Sequence, residues 1–229
     1  MNNMSTGHRP TVLIDVDGTI ADSLPAIAHG FRLALEAIDH PLPPESFINT
    51  IPGPPMVETL ASLGLSDEQV DRAFAVYMEH QHAGAWQRAE MFPGWPELLR
   101  DWRAAGVQLA TATSKGDYFA RKTLDNFGLL DAFDFIGAAS DDGSRQTKTE
   151  VIEYTLKELG IETDEAVRPH GSVVMVGDRI HDFEGAAQFG IPAIAVKWGY
   201  GSESEWASAA AVASSPGDLN RVVREMLYL

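Results

Sequence analysis

Short apolar runs alternate with amphipathic stretches along most of this chain. Thr11-Val12-Leu13-Ile14 is the β-branched kind of run that predicts a buried strand, and it stops at Asp15-Val16-Asp17-Gly18-Thr19. Leu24, Ile27, Ala28, Phe31, Leu35 and Ile38 then recur at helical spacing. Asp22 and Ser23 offer this helix an N-cap, Pro25 suits its first turn, and Pro41, Pro43 and Pro44 stop it. Residues 42–90 predict helix and loop without a convincing strand. Pro52-Gly53-Pro54-Pro55 is a stiff loop before a helix carrying Met56, Leu60 and Leu63, and residues 67–82 form a further helix carrying Val70, Phe74 and Tyr77. Phe92-Pro93-Gly94 opens a helix bearing Leu98, Leu99 and Trp102, which Gly106 closes. Strands at 107–112, 133–138, 172–176 and 191–196 then alternate with helices at 117–127, 149–159, 181–189 and 218–227.

This alternation predicts an α/β fold, a Rossmann-like parallel sheet flanked by helices. The helical stretch between the first and second strands reads as an inserted all-helical cap over 20–91, leaving 1–19 and 92–229 as the catalytic core. Residues 1–10 are expected to be a loose tail, and 207–215 an Ala/Ser-rich tract.

Composition narrows the function. The 229 residues carry a formal net charge of −16, which repels nucleic-acid phosphates and obliges any site for an anion to supply its own positive charge. No cysteine is present, which excludes disulfides and thiolate metal sites. The start of the chain lacks an apolar signal region, and no uncharged apolar run approaches the roughly 18 residues of a membrane span. The expectation is a cytoplasmic protein, monomer or homodimer, with a small-molecule partner and neither nucleic acid nor membrane.

Ligands of open α/β sheets bind at the carboxyl ends of the strands. Asp15 and Asp17 end the first predicted strand, Thr113, Ser114 and Lys115 the second, and Gly177 and Asp178 a later one. Asp182 follows in the next turn, and Lys148 precedes a helix. Converging carboxylates repel by about 4 kcal/mol per pair at roughly 4 Å and an effective dielectric of ~20. Mg²⁺ relieves such repulsion, with Asp15, the Asp17 carbonyl and Asp178 as ligands. Lys148 adds charge beside a phosphate, and Thr113 with the backbone after it offers hydrogen bonds to phosphoryl oxygens. Asp15 is then the candidate nucleophile, and Asp17 the acid that protonates the leaving alcohol and afterwards the base that activates water.

In order and spacing, Asp15-Val-Asp17-Gly18-Thr19, Thr113-Ser114-Lys115, Lys148 and Gly177-Asp178-Arg-Ile-His-Asp182 resemble the haloacid dehalogenase-like hydrolases over residues 11–229. The resemblance implies a Mg²⁺-dependent phosphatase. Gly18, Thr113, Ser114 and Lys148 would hold the phosphate, and Asp182 would support the ligands from behind. Asp17 separates phosphatases and phosphomutases from the carbon–halogen-cleaving members, which lack it. The helical insert is similar to the cap of the phosphoglycolate phosphatase-like branch, which implies a phosphoglycolate-like phosphomonoester as substrate.

The Gly53-Pro54-Pro55-Met56 loop, however, carries no cation for a second carboxylate. The nearest cap cations are Arg32, Arg72 and Arg88, with His80 and His82 at low pH. That loop and Trp198-Gly199-Tyr200-Gly201 are similar to a subgroup named both phosphoglycolate phosphatase and 5′-nucleotidase, so hydrolysis of nucleoside monophosphates is the alternative. Simple packing of a turn also accounts for the Trp-Gly-Tyr-Gly run. His29 and His181 are read as lying outside the site. A sugar phosphomutase is disfavoured because Asp22-Ser23-Leu24-Pro25 resembles the phosphatases, and a non-catalytic phosphate-binding protein because every motif residue is intact.

Overall fold

Strands as short and uniformly apolar as Thr11–Ile14 must be covered on both faces, and the architecture does this. The computed structural model describes residues 9–162 and 173–229. Of the expected tail only Arg9 and Pro10 lie in that range, and Ser172 of the expected 172–176 strand lies outside it. In chain order the elements are β1 (Thr11–Ile14), β2 (Ala21–Asp22), α1 (Leu24–Glu36), α2 (Glu45–Ile48), α3 (Met56–Ala61), α4 (Asp67–His82), β3 (Glu90–Met91), α5 (Trp95–Ala104), β4 (Gln108–Gly116), α6 (Asp117–Asn126), β5 (Phe135–Ala139), α7 (Lys148–Glu158), β6 (Val173–Gly177), α8 (Ile180–Ala187), β7 (Ala193–Val196), α9 (Glu203–Trp206), β8 (Ala211–Ala213) and α10 (Pro216–Leu227).

Six parallel strands form one sheet in the order β5-β4-β1-β6-β7-β8. Residues alternate between its faces with the strand period of two. Val12 and Ile14 of β1, with Val174 and Val176 of β6, pack on α5, α6 and α10 through Trp95, Trp102, Leu124 and Val223. Leu13 and Met175 point the other way, onto Val151, Ile152 and Leu156 of α7 and Phe183 of α8. Helices α1 to α4 bury a separate apolar cluster of their own, centred on Phe31, Leu35, Ile48 and Leu60.

The chain leaves the sheet through β2 and returns through β3, a short antiparallel pair in which Ala21 faces Met91. The sequence pattern gives no sign of either strand, because two residues carry no periodicity. Nor does it reveal β8, which is Ala-Val-Ala inside the Ala/Ser-rich tract and gains its partner only from β7. The N-cap of α1 also differs from expectation. Ser23 occupies the position without making a side-chain cap bond. The Tyr200 hydroxyl caps instead, accepting from the backbone N–H of Ser23 (2.8 Å) and Leu24 (2.9 Å) and donating to Asp22 Oδ1 (2.8 Å).

Candidate active site

The carboxyl ends of β1, β4 and β6 bring Asp15, Thr113 and Asp178 to one edge of the sheet, and the first turn of α8 adds Asp182. Lys148 is the first residue of α7, held there by a reciprocal capping box between Thr147 and Glu150. Its ammonium lies 2.8 Å from Asp15 Oδ1 and 2.8 Å from Asp182 Oδ1, and it donates to the Ala112 carbonyl at 2.8 Å. These three acceptors use all the donors an ammonium has. Asp182 Oδ2 accepts from the backbone N–H of Asp178 (3.1 Å) and Arg179 (3.0 Å). Both oxygens of Asp182 are thus engaged in holding Lys148 and the loop that carries Asp178.

Asp178 Oδ2 accepts from the Tyr200 N–H at 2.7 Å, and Thr19 Oγ1 donates to Oδ1 at 3.3 Å. The packing around this carboxylate leaves no room for side chains. A Cβ on Gly18, whose φ is +84°, would fall 2.3 Å from Asp178 Oδ2, and one on Gly199 would fall 2.4 Å from Asp178 Cβ.

Asp15, Asp178 and Asp182 are buried, with one ligand oxygen from each within 4.8 Å of the others. Burial pushes the Asp15 carboxyl up to about 6, against the pull of Lys148 and with the help of Asp182. Burial raises Asp178 well above the usual carboxylate range, and Asp182 and Asp15 add to the effect. Burial alone would lower Lys148, but Asp15 and Asp182 outweigh it and hold the ammonium above its ordinary value. The cluster has more negative charge than one ammonium offsets, and its donors are all hard oxygens. This is the environment a divalent cation such as Mg²⁺ fits.

Asp17 points elsewhere. The Lys115 ammonium donates to both its oxygens at 3.0 and 3.1 Å, and both side chains are mostly buried. Lys115 enters the sequence argument only as a strand-end residue; its pairing with a carboxylate 98 positions away has no local signature. Asp15, Asp17, Thr113, Ser114 and Lys115 line a cavity of about 720 Å³ between the sheet edge and the helical segment. Gly18, Lys148, Asp178 and Asp182 are not among the lining residues and support it from behind.

The opposite wall is the Pro52–Glu58 stretch and the inner face of α4. Arg179 fastens that wall to the core: its guanidinium donates to the carbonyls of Thr50 (2.9 Å) and Pro52 and to Glu205 Oε1 (3.0 Å). Arg32 is instead paired with Glu45 at 2.8 Å, Arg72 bonds the Ala37 carbonyl, and no arginine lines the cavity among the described residues. His82 does line it, with its ring 5.0 Å from that of Phe119, whereas His80 stacks edge-on to the exposed His29 outside it. The Trp-Gly-Tyr-Gly run does more than pack a turn. Trp198 Nε1 donates to the Thr19 carbonyl, as Trp95 Nε1 does, and Tyr200 joins Asp178 to the start of α1.

The model of the haloacid dehalogenase-like hydrolases matches residues 12–196. The tyrosine-protein kinase PtkA of Mycobacterium tuberculosis is 43% identical over 199 residues, covering 86% of this chain. The chain spans 65% of that kinase's length. A 5′-nucleotidase of Pseudomonas aeruginosa is 30% identical over 197 residues, covering 86% of each chain. The crystal structure of a predicted phosphatase from Clostridium acetobutylicum superposes with a TM-score of 0.86 at 30% identity, covering 96% of this chain and 100% of that one. No helix among the described residues is long and apolar enough to cross a membrane. Both the motif residues on one sheet edge and a match running from β1 to the end of β7 lead to the same assignment: the chain belongs to the haloacid dehalogenase-like hydrolase family.

Proposed function

We propose that the chain is a Mg²⁺-dependent phosphatase that hydrolyses a phosphomonoester through an aspartyl-phosphate on Asp15. The observation that carries this reading is the Asp15 carboxylate itself. Lys148 fixes one of its oxygens at 2.8 Å, and the residue opens onto the cavity beside Thr113 and Asp17. The second oxygen attacks phosphorus, and the bond from phosphorus to the ester oxygen breaks. Asp17 gives its proton to the departing alcohol, then takes one from the water that cleaves the acyl phosphate, releasing inorganic phosphate and restoring Asp15. Thr113 and Ser114 hold the phosphoryl oxygens, and Lys148 balances their charge; Gly18, expected to share in this, has its N–H already donating to the Ala21 carbonyl at 2.8 Å. Asp15, the Asp17 carbonyl and Asp178 would hold Mg²⁺, which when bound supplies charge neutralisation at the phosphoryl group.

The test is turnover of 4-nitrophenyl phosphate with Mg²⁺ and with EDTA, together with acid trapping of labelled phosphate on the protein. We expect activity only with the metal and a trapped label that Asp15→Asn abolishes. Full turnover in EDTA, or label retained by that variant, would remove the reading. A second reading follows from the 43% identity to a tyrosine kinase: the Asp15 phosphate passes to a tyrosine hydroxyl instead of water. Comparing released inorganic phosphate with phosphate found on tyrosine separates the two.

A further inference from the structure

Tyr200 is bonded at both of its ends. Its backbone N–H donates to Asp178 Oδ2 at 2.7 Å. Its hydroxyl, at the far end of the ring, accepts from the N–H groups of Ser23 (2.8 Å) and Leu24 (2.9 Å) and donates to Asp22 Oδ1 (2.8 Å). Those three bonds use the phenol's proton and both of its lone pairs. A hydroxyl so fully engaged is a fixed joint, and it links a candidate cation ligand to the start of α1, where the helical segment begins.

Each end of this joint depends on the tyrosine. The first N–H groups of a helix find no partner inside it. Ser23 stands at the N-cap, where a serine oxygen ordinarily accepts one of them, but its Oγ is buried with no hydrogen-bond partner among the described residues. The start of α1 relies on the Tyr200 oxygen instead. At the other end, glycines flank the tyrosine because nothing larger fits. A Cβ on Gly199 would collide with Asp178 Cβ and the Gly18 carbonyl, and one on Gly201 with the Asp178 carbonyl. The glycines let the run press against Asp178, but they bring no side chain to hold it there and have the freest backbones of all residues. The anchored ring of Tyr200 keeps the N–H between them aimed at Asp178 Oδ2.

We propose that Tyr200 is a positioning residue that couples the divalent-cation site to the helical segment. With its hydroxyl docked on α1, the residue aims the Asp178 carboxylate; a cation held by that carboxylate in turn steadies the start of α1. This rests on Asp178 being a Mg²⁺ ligand, as in the phosphatase reading, and adds to it a link between the ligand and the helices that wall the cavity. Such coupling is reciprocal, so the same factor must be measurable from either end.

The experiment compares the wild type with Tyr200→Phe, and with Ser23→Ala as a control at the same helix start. Mg²⁺ is titrated by calorimetry without substrate, and amide exchange over residues 23–36 is followed by NMR with and without Mg²⁺. Tyr200→Phe keeps the ring and the N–H to Asp178 and removes only the distant hydroxyl. We expect it to raise the Mg²⁺ dissociation constant by about fivefold or more. In the wild type Mg²⁺ should slow exchange of the Ser23 and Leu24 amides by a similar factor, and in Tyr200→Phe that slowing should vanish. At saturating Mg²⁺ the variant's kcat for 4-nitrophenyl phosphate should return toward the wild-type value, and Ser23→Ala should alter none of these readouts. An unchanged Mg²⁺ affinity in Tyr200→Phe overturns the inference, as does a kcat that stays low at saturating Mg²⁺, which marks a distorted site. Wild-type Ser23 and Leu24 amides indifferent to Mg²⁺ also overturn it, and that measurement stands whether or not the variant folds. An equal shift in Ser23→Ala would trace the effect to any damage at the helix start and would likewise remove Tyr200 from the role. Each of these failures leaves the Asp15 reading standing, whereas a wild type that binds no Mg²⁺ sinks both.

Discussion

Asp15 and Asp178 carry charges that their surroundings discourage, and this gives the protein a pH signature. Burial holds Asp15 at about 6 against an ordinary 3.8 and also raises Asp178 well above the usual carboxylate range. Between about pH 4 and pH 6 the folded protein therefore keeps protons that the unfolded chain has released. Without metal, the contribution of these groups to stability falls as pH rises through that window and stays low above it. A divalent cation binds the deprotonated carboxylates, so its stabilisation should grow in the same direction. Thermal melts should show a larger Mg²⁺-induced rise at about pH 7.5 than at about pH 5; an equal rise at both would contradict this. By the same argument, Asp178→Asn should melt a few degrees higher than wild type in EDTA at neutral pH, since roughly 1 kcal/mol is worth about 2–4 °C in a chain of this size. It should also lose turnover. Asp17→Asn should reduce kcat by about 10²–10⁴-fold, the range of a lost general acid–base. A smaller loss would take the proton-transfer role away from Asp17.

At the scale of elements, the helical segment is tied to the sheet by a few long-range bonds. Arg179, at the N-cap of α8, grips the carbonyls of Thr50 and Pro52. Hydrogen bonds to charged groups contribute roughly 1.5–3 kcal/mol each. Arg179→Met should cost at least that much in a denaturant melt and loosen the Pro52–Glu58 wall, raising KM with little change in kcat. An unchanged KM would show that the wall holds its place unaided. These ties also mark where sequence reading stops. Asp15, Asp17, Asp178 and Asp182 were legible because each sits at a strand-to-helix transition within a few residues of its motif neighbours. Tyr200 serves Ser23 from 177 positions away, Arg179 serves Thr50 from 129, and Lys115 serves Asp17 from 98. Such partners are set by the tertiary fold and leave no local periodicity. The inner face of α4 was partly legible in the same sense: the 67–82 period predicts a helix, but not that one of its faces walls the cavity.

Taken as a whole, the molecule opposes its own proposed substrate at long range. A formal charge of −16 repels a phosphate dianion, while the compensating ammonium groups of Lys115 and Lys148 are mostly buried at the site. Added salt screens distant charges more than buried ones. The kcat/KM for a phosphomonoester should therefore rise as ionic strength increases from low values toward physiological, the reverse of a steered enzyme. A fall would reveal a basic approach path.

The β2–β3 pair bears on how such a chain could diversify. Ala21 lies opposite Met91 and Asp22 opposite Glu90, so the points where the chain departs from the sheet and rejoins it are already hydrogen-bonded to each other. Whatever is spliced between them inherits a closed pair of ends, and the entropy of closing the loop grows only slowly with its length. The junction is thus a graft point. Helical inserts of other lengths and walls should be exchangeable there without disturbing the Lys148–Asp15 pair. A chimera carrying a relative's insert between Asp22 and Glu90 should fold, keep Mg²⁺-dependent turnover of 4-nitrophenyl phosphate, and take its leaving-group preference from the donor. If it kept the recipient's preference, selectivity would have to be sought in the sheet edge instead of the borrowed helices.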